Sequence, residues 1–373
     1  SYNSWWYFKS SKTIKINNNI IHNNYDYYIY INICDIMRIA IISVSKKGQK
    51  LASDLKDKLD DDSTIIKTDL YHKNVKKYFP LLFDEYDAII AIMASGILIR
   101  SIAPLIQSKV TDPAILNIDD KGEFVISTLS GHLGGANKLT KKISSLIDAT
   151  PVITTSTDVN KKLGIDVLAK DLYLSIDNPK EILFFNKAIL EGREVSLTVN
   201  PNKKFDYLFN YLNDNTLEID VSIYYSSKIE MDEILVSLDE HELILKERKI
   251  VVGIGCRRGK ECKYIYDGLM KSINDLNIDE ARINMLSSAE IKKDEEGILE
   301  LSEKLDIPVN FVELDKLKLF RSNDVAKSEF VFSKFGIYGV CEPSALITAG
   351  FDSKLIYKKT SYDGVTISIA ISN

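Results

Sequence analysis

Histidine is the side chain whose ordinary titration lies nearest neutral pH, so it is the first place to look for proton transfer. The chain of 373 residues has only four. His132 stands inside Ser130-Gly131-His132-Leu133-Gly134-Gly135-Ala136-Asn137, a run that follows the apolar stretch FVISTL and leads into the helical pattern ANKLTKKISSLI. Glycines at such a junction allow positive φ and let a ligand approach the backbone closely. The first N–H groups of the following helix favour carboxylate or phosphate oxygen. If a proton moves near neutral pH by way of histidine, His132 is the leading candidate. The alternative is a tight strand-to-helix turn that His132 merely caps, and spacing alone leaves both open. Of the remaining histidines, His22 lies near the N-terminus, while His72 and His241 stand in charged surroundings that read as loops.

A second glycine run, Gly253-Ile254-Gly255-Cys256-Arg257-Arg258-Gly259, also follows an apolar strand pattern. Its third glycine falls one position late for a dinucleotide fingerprint. Two adjacent arginines in a glycine turn suit a forked clamp for carboxylate or phosphate, with a solvated basic turn as the plain alternative. Cys256 and Cys262 have no histidine nearby and poor spacing for a metal site, so no protein-held metal is expected. Shorter signals sit at other expected strand ends. Met93–Arg100 places Arg100 one turn into a helix, and Lys109–Pro113 carries Asp112 ahead of a strand. Thr154–Asp158 offers the Thr155 hydroxyl and the Asp158 carboxylate at the C-terminal end of a strand, where open α/β sheets bind ligands. Gly339–Ala345 puts Glu342 just ahead of a helix start at Pro343, with Ser344 behind it. Each alone is more often a cap than a catalyst; their common location at strand ends facing loops groups them.

These residues depend on the elements around them. From Met37 onward short apolar runs alternate with helical patterns, which points to parallel sheets covered by helices. Strands are expected at 38–44, 88–93, 114–118, 124–128 and 152–154. Helices are expected at 48–59, near 96–106 with Pro104 ending or bending it, and at 136–147. The stretch 159–248 shows one clear helix, near 180–190, and alternating segments at 195–199, 219–225 and 234–238. At Lys249 the α/β pattern restarts and runs to the end. The expected fold is therefore α/β: an N-terminal domain (37–158) and a C-terminal domain (249–373) with mostly parallel sheets, joined by a smaller middle α+β domain (159–248). Residues 1–36 are dominated by Asn, Ile, Tyr and Lys and follow neither period; they are expected to be a non-native or disordered extension ahead of a natural start at Met37.

Composition narrows the function classes. Hydrophobic residues at 45% and charged residues at 27% suit a globular chain and not a disordered one. A formal charge of -5 removes the overall basicity usual in a nucleic-acid binder. No apolar run reaches the ~18–20 residues of a membrane span. Four cysteines are too few for a disulfide scaffold at this length. A cytoplasmic protein with neither a nucleic-acid nor a membrane partner is expected.

Read together, ASGILIR, KVTDPA, SGHLGGAN, PVITTSTD, GIGCRRG and CEPSAL resemble the signature segments of the cobalt-precorrin-5A hydrolase family, the G proteins of anaerobic cobalamin biosynthesis. The likeness runs from Met37 to the C-terminus in the family's order of three segments, the middle one matching mainly by position and length. It implies an enzyme acting on a cobalt-containing, ring-contracted corrinoid whose ring-A acetate is closed as a δ-lactone onto the C20 bridging carbon. Water opens the lactone, the two-carbon fragment leaves as acetaldehyde, and cobalt-precorrin-5B remains. Cobalt arrives with the substrate, so no cofactor of the protein's own is implied. Transient contact with neighbouring pathway enzymes is the one protein partnership suggested, and no oligomeric state follows.

Such a disc, edged with carboxylates, needs a wide cleft with cationic or N–H donors around its rim. On this reading Arg100, Arg257 and Arg258 supply the cations. Gly131, Asn137, Thr155, Gly255, Cys256 and Ser344 join them from the same segments. Lactone opening needs a base for water and donors for the tetrahedral oxyanion. His132 or Asp158 takes the first role, the Gly134 and Gly135 N–H groups bind the oxyanion or a side-chain carboxylate, and Glu342 or the same base moves the proton off the C20 hydroxyl. Two other readings compete. One is a non-catalytic corrinoid carrier or scaffold. The other is a nucleotide- or phosphate-binding α/β protein, against which stands the lack of a Walker-A pair or a correctly spaced dinucleotide fingerprint.

Overall fold

The computed structural model describes residues 37–373 except 109–110, 157–159, 216–217, 323–324 and 326–328. The expected extension 1–36 and the candidate base Asp158 therefore lie outside the described residues. Three sheets carry the chain. The first holds β1 (Met37–Ser43), β2 (Ile65–His72), β3 (Ala88–Ile92), β4 (Ala114–Ile118), β5 (Phe124–Leu129) and β6 (Thr150–Val152), in the order β2-β1-β3-β4-β5-β6. β1 to β4 are parallel. β3 and β4 are buried at every residue, as strands covered on both faces must be. β5 then reverses against β4, with Leu129 opposite Ile115, and β6 follows β5. That reversal sends the loops after β5 and β6 to the edge where β1, β3 and β4 begin.

The middle sheet holds β7 (Leu174–Ile176), β8 (Val195–Val199), β9 (Val221–Tyr225), β10 (Glu233–Leu238) and β11 (His241–Glu247), in the order β7-β11-β10-β8-β9. Its helices correct the expectation of a single one: Ile165–Asp171 and Asp206–Asp214 stand beside Ile182–Leu190. The first escapes notice because Asp166 and Lys170 are buried and interrupt its apolar stripe. His72 and His241 are also strand residues, at the end of β2 and the start of β11, and not loop residues. Ser43 Oγ lies 3.0 Å from His72 Nδ1, and Glu181 Oε2 lies 2.7 Å from His241 Nδ1.

The third sheet holds β12 (Ile250–Cys256), β13 (Met285–Ala289), β14 (Val309–Val312), β15 (Lys354–Tyr362) and β16 (Val365–Ile371), in the order β14-β13-β12-β16-β15. The helix Cys341–Ala349 presses onto β12 at Gly253, where a Cβ would stand 2.0 Å from the Cys341 carbonyl oxygen. Buried Arg282 ties this sheet to the middle one, donating to the carbonyls of Leu172, Tyr173 and Arg248 at 2.9, 2.9 and 2.6 Å. The first and third sheets meet where Lys358 N–H donates to the Ser63 carbonyl at 3.0 Å and Thr360 Oγ1 donates to Ser63 Oγ at 2.7 Å. Among the described residues no helix is long and apolar enough to cross a membrane.

Candidate active site

The chain leaves β5 at the edge where β4 begins, and Ser130 turns it with φ of 56° while its hydroxyl donates to the Asp112 carbonyl at 3.0 Å. The helix Ala136–Ile147 then starts on the loop's own carbonyls. Ala136 N–H donates to Ser130 O at 3.1 Å, Asn137 N–H to Gly131 O at 2.9 Å and Gly135 N–H to His132 O at 2.9 Å. Gly134 is a close approach: a Cβ there would lie 2.4 Å from Ser130 Cβ. These bonds correct one expectation. Gly135 N–H is held by the His132 carbonyl and is not an oxyanion donor, whereas the half-buried Gly134 keeps its amide uncommitted among the described residues. Asn137 brackets the turn, accepting from Ser127 Oγ at 2.6 Å and donating to Thr155 Oγ1 at 2.9 Å. Gly131, His132, Gly134, Asn137 and Thr155 thus come together at one edge of the first sheet.

His132 also meets the middle unit. Its Nδ1 lies 3.2 Å from Oδ2 of Asp166, which is only 4% exposed. Burial alone would raise the Asp166 pKa, but the hydrogen bond and charge of His132, followed by the Asn186 amide, outweigh it and hold the carboxyl below its usual range. Asn186 Nδ2 donates to Asp166 Oδ1 at 2.8 Å. An ionised carboxylate only accepts, so Nδ1 of His132 is the donor in this pair. Lys170, 5% exposed, donates to the carbonyls of His132 and Leu133 at 3.3 and 3.4 Å. Leu133 itself is 5% exposed and packs within the core of the middle sheet. The sequence reading missed Asp166 and Lys170. Their only signal is a pair of charges one helical turn apart in IDVLAK, residues 165–170.

The other expected residues do not join this cluster. Arg100 is exposed and folds back over Gly96, its Nη1 3.4 Å from where a Cβ there would stand. That is the edge where β3 ends, opposite the edge of Ser130–Asn137, so the expected common location does not hold for Arg100. Gly255 and Cys256 are strand residues paired with Thr366 and Val365, not loop residues. Burial pushes the Cys256 thiol pKa up. Arg257 is exposed and lies along Gly364, whereas Arg258 is engaged by Asp294 at 2.7 Å and Glu295 at 3.6 Å. The adjacent guanidinium groups therefore diverge and do not form one clamp. Glu342, 2% exposed, accepts from Lys359 N–H at 2.8 Å beneath β15, and Ser344 is wholly buried. Packing of their helix onto β12 withdraws both from any surface site, and the helix starts at Cys341, two residues before the expected Pro343. Among the described residues no group of three or more His, Cys, Asp or Glu side chains is placed to hold a metal ion.

Family comparison matches both halves of this arrangement. Cobalamin synthesis G N-terminal matches residues 77–158, and Cobalamin synthesis G C-terminus matches residues 250–370. A Methanocaldococcus jannaschii protein named "Probable cobalt-precorrin-5A hydrolase" is 36% identical over 350 residues, covering 90% of this chain and 100% of that protein. The chain belongs to the cobalamin synthesis G family. A Priestia megaterium protein named "Cobalt-precorrin-5A hydrolase" is 29% identical over 357 residues, spanning 89% of this chain and 94% of that one. A crystal structure of a cobalamin biosynthesis protein G homologue from Sulfolobus solfataricus aligns with a TM-score of 0.54 at 26% identity, covering 90% of this chain and 97% of the other. Asp166 and Lys170 fall between the two stretches matched by the cobalamin synthesis G family.

Proposed function

We propose that the chain is a cobalt-precorrin-5A hydrolase of cobalamin biosynthesis, opening the ring-A δ-lactone with water and releasing the two-carbon fragment as acetaldehyde. Full-length likeness to the Methanocaldococcus jannaschii protein of that name carries the reading. The His132 cluster supports it locally. His132 Nε2 takes a proton from water as the oxygen attacks the lactone carbonyl, and the Gly134 amide faces the oxyanion. Removing one such donor typically lowers the rate by ~10²–10³. Collapse breaks the bond to the C20 oxygen, which takes a proton and leaves a ring-A carboxyl and a C20 hydroxyl. The hydroxyl proton then departs to the base, the bond from C20 to the macrocycle breaks, and the macrocycle keeps the electron pair and takes up a proton. One water enters and one acetaldehyde leaves. Cobalt is part of the substrate, and exposed Arg257 is a cation for its carboxylates.

The test is anaerobic incubation of purified protein with cobalt-precorrin-5A, trapping of acetaldehyde and mass analysis of the corrinoid. Acetaldehyde in step with a lactone-opened product is the expected result. A corrinoid bound and recovered unchanged makes the protein a carrier and overturns the reading.

A further inference from the structure

Resting on the hydrolase reading, we infer that the middle unit completes the active site: Asp166 is a positioning residue that fixes the ring and tautomer of His132, and Lys170 anchors the loop beneath it. A carboxylate and an ammonium buried among Leu163, Leu168 and Ala169 contribute less to stability than apolar residues of similar size would, so packing alone gives no reason for them. Their spacing puts both on one helix face, and both address the same two-residue tip of the first unit. Asp166 meets the His132 imidazole at 3.2 Å, and Lys170 meets the carbonyls of His132 and Leu133. Asn186, from the next helix, donates to Asp166 Oδ1 at 2.8 Å and takes the Ile165 N–H on its own oxygen at 2.8 Å, so the carboxylate itself is held. A base that must present Nε2 to water needs its hydrogen on Nδ1, and a fixed acceptor there supplies that.

The experiment compares full-length wild type, H132A, D166N and the double variant in turnover of cobalt-precorrin-5A. It adds imidazole nitrogen chemical shifts for His132, recorded where the ring is neutral. D166N is expected to lower kcat roughly 10²-fold with KM changed no more than a few-fold. In the H132A background D166N is expected to change nothing further, because it acts through the ring alone. The shifts are expected to show the Nδ1–H tautomer in wild type and its loss in D166N. Undiminished kcat in D166N, or an equal loss in both backgrounds, overturns the inference. If wild type itself turns over nothing, the hydrolase reading falls, and the tautomer decides the positioning role by itself: the same tautomer in both proteins overturns it.

Discussion

Arg257 and Arg258 are neighbours in the chain and strangers in space. Arg258 is spent on Asp294 and Glu295, while exposed Arg257 carries no ion pair among the described residues. Arg257→Ala is therefore expected to raise KM for the corrinoid several-fold, and Arg258→Ala to leave it within about twofold, as steady-state kinetics will show. Asp166 gives a second expectation, in stability. Its carboxyl pKa is lowered in the folded protein, so its contribution is complete above the unfolded value of about 3.9 and fades as pH falls through the lower folded value. Urea unfolding should show D166N less stable than wild type at about pH 5, with the margin shrinking below about pH 4. His132 was legible in the sequence because it is one of four histidines and lies between glycines. Asp166 was not, because its contact spans 34 residues and is created by docking of one unit on another.

Local pattern gave some elements to the residue and hid others. The helix 136–147 follows directly from its apolar spacing, and Ala136–Ile147 is what forms. β2 was missed because Lys67 and Asp69 break the apolar run of an edge strand. The helix Val75–Glu85 was missed because Pro80, inside it, reads as a breaker. Gly255 and Cys256 look like loop residues beside Arg257, yet the hydrogen-bonded ladder to β16 runs through both. Gly253 carries the sharpest prediction at this scale. Its Cβ would lie 2.0 Å from a carbonyl oxygen, in backbone that cannot move without lifting the helix Cys341–Ala349. Gly253→Ala is expected to destabilise the protein by about 3 kcal/mol, measured by chemical denaturation, well beyond an ordinary surface change.

Several contacts between the units end on backbone carbonyls, which every residue has, and so leave almost no trace in sequence. Arg282 is the clearest case: a buried cation on one unit held by carbonyls of Leu172, Tyr173 and Arg248. Arg282→Met would strand those carbonyls, and a loss of roughly 3 kcal/mol with a less cooperative urea transition is expected. The first and third units touch at Ser63 and Thr360, on β2's side of the first sheet. The His132 loop follows β5, four strands away, or about 19 Å at ordinary strand spacing. The His132 cluster is thus backed by the middle unit and set apart from that joint.

The claim that water attacks the lactone carbonyl at this cluster is tested most directly by a single turnover of cobalt-precorrin-5A in heavy-oxygen water, with wild type and H132A side by side. One heavy oxygen in the ring-A carboxylate of the wild-type product, with turnover at least ~10²-fold slower in H132A, is the predicted result. An unlabelled carboxylate, or equal turnover by the two proteins, contradicts it.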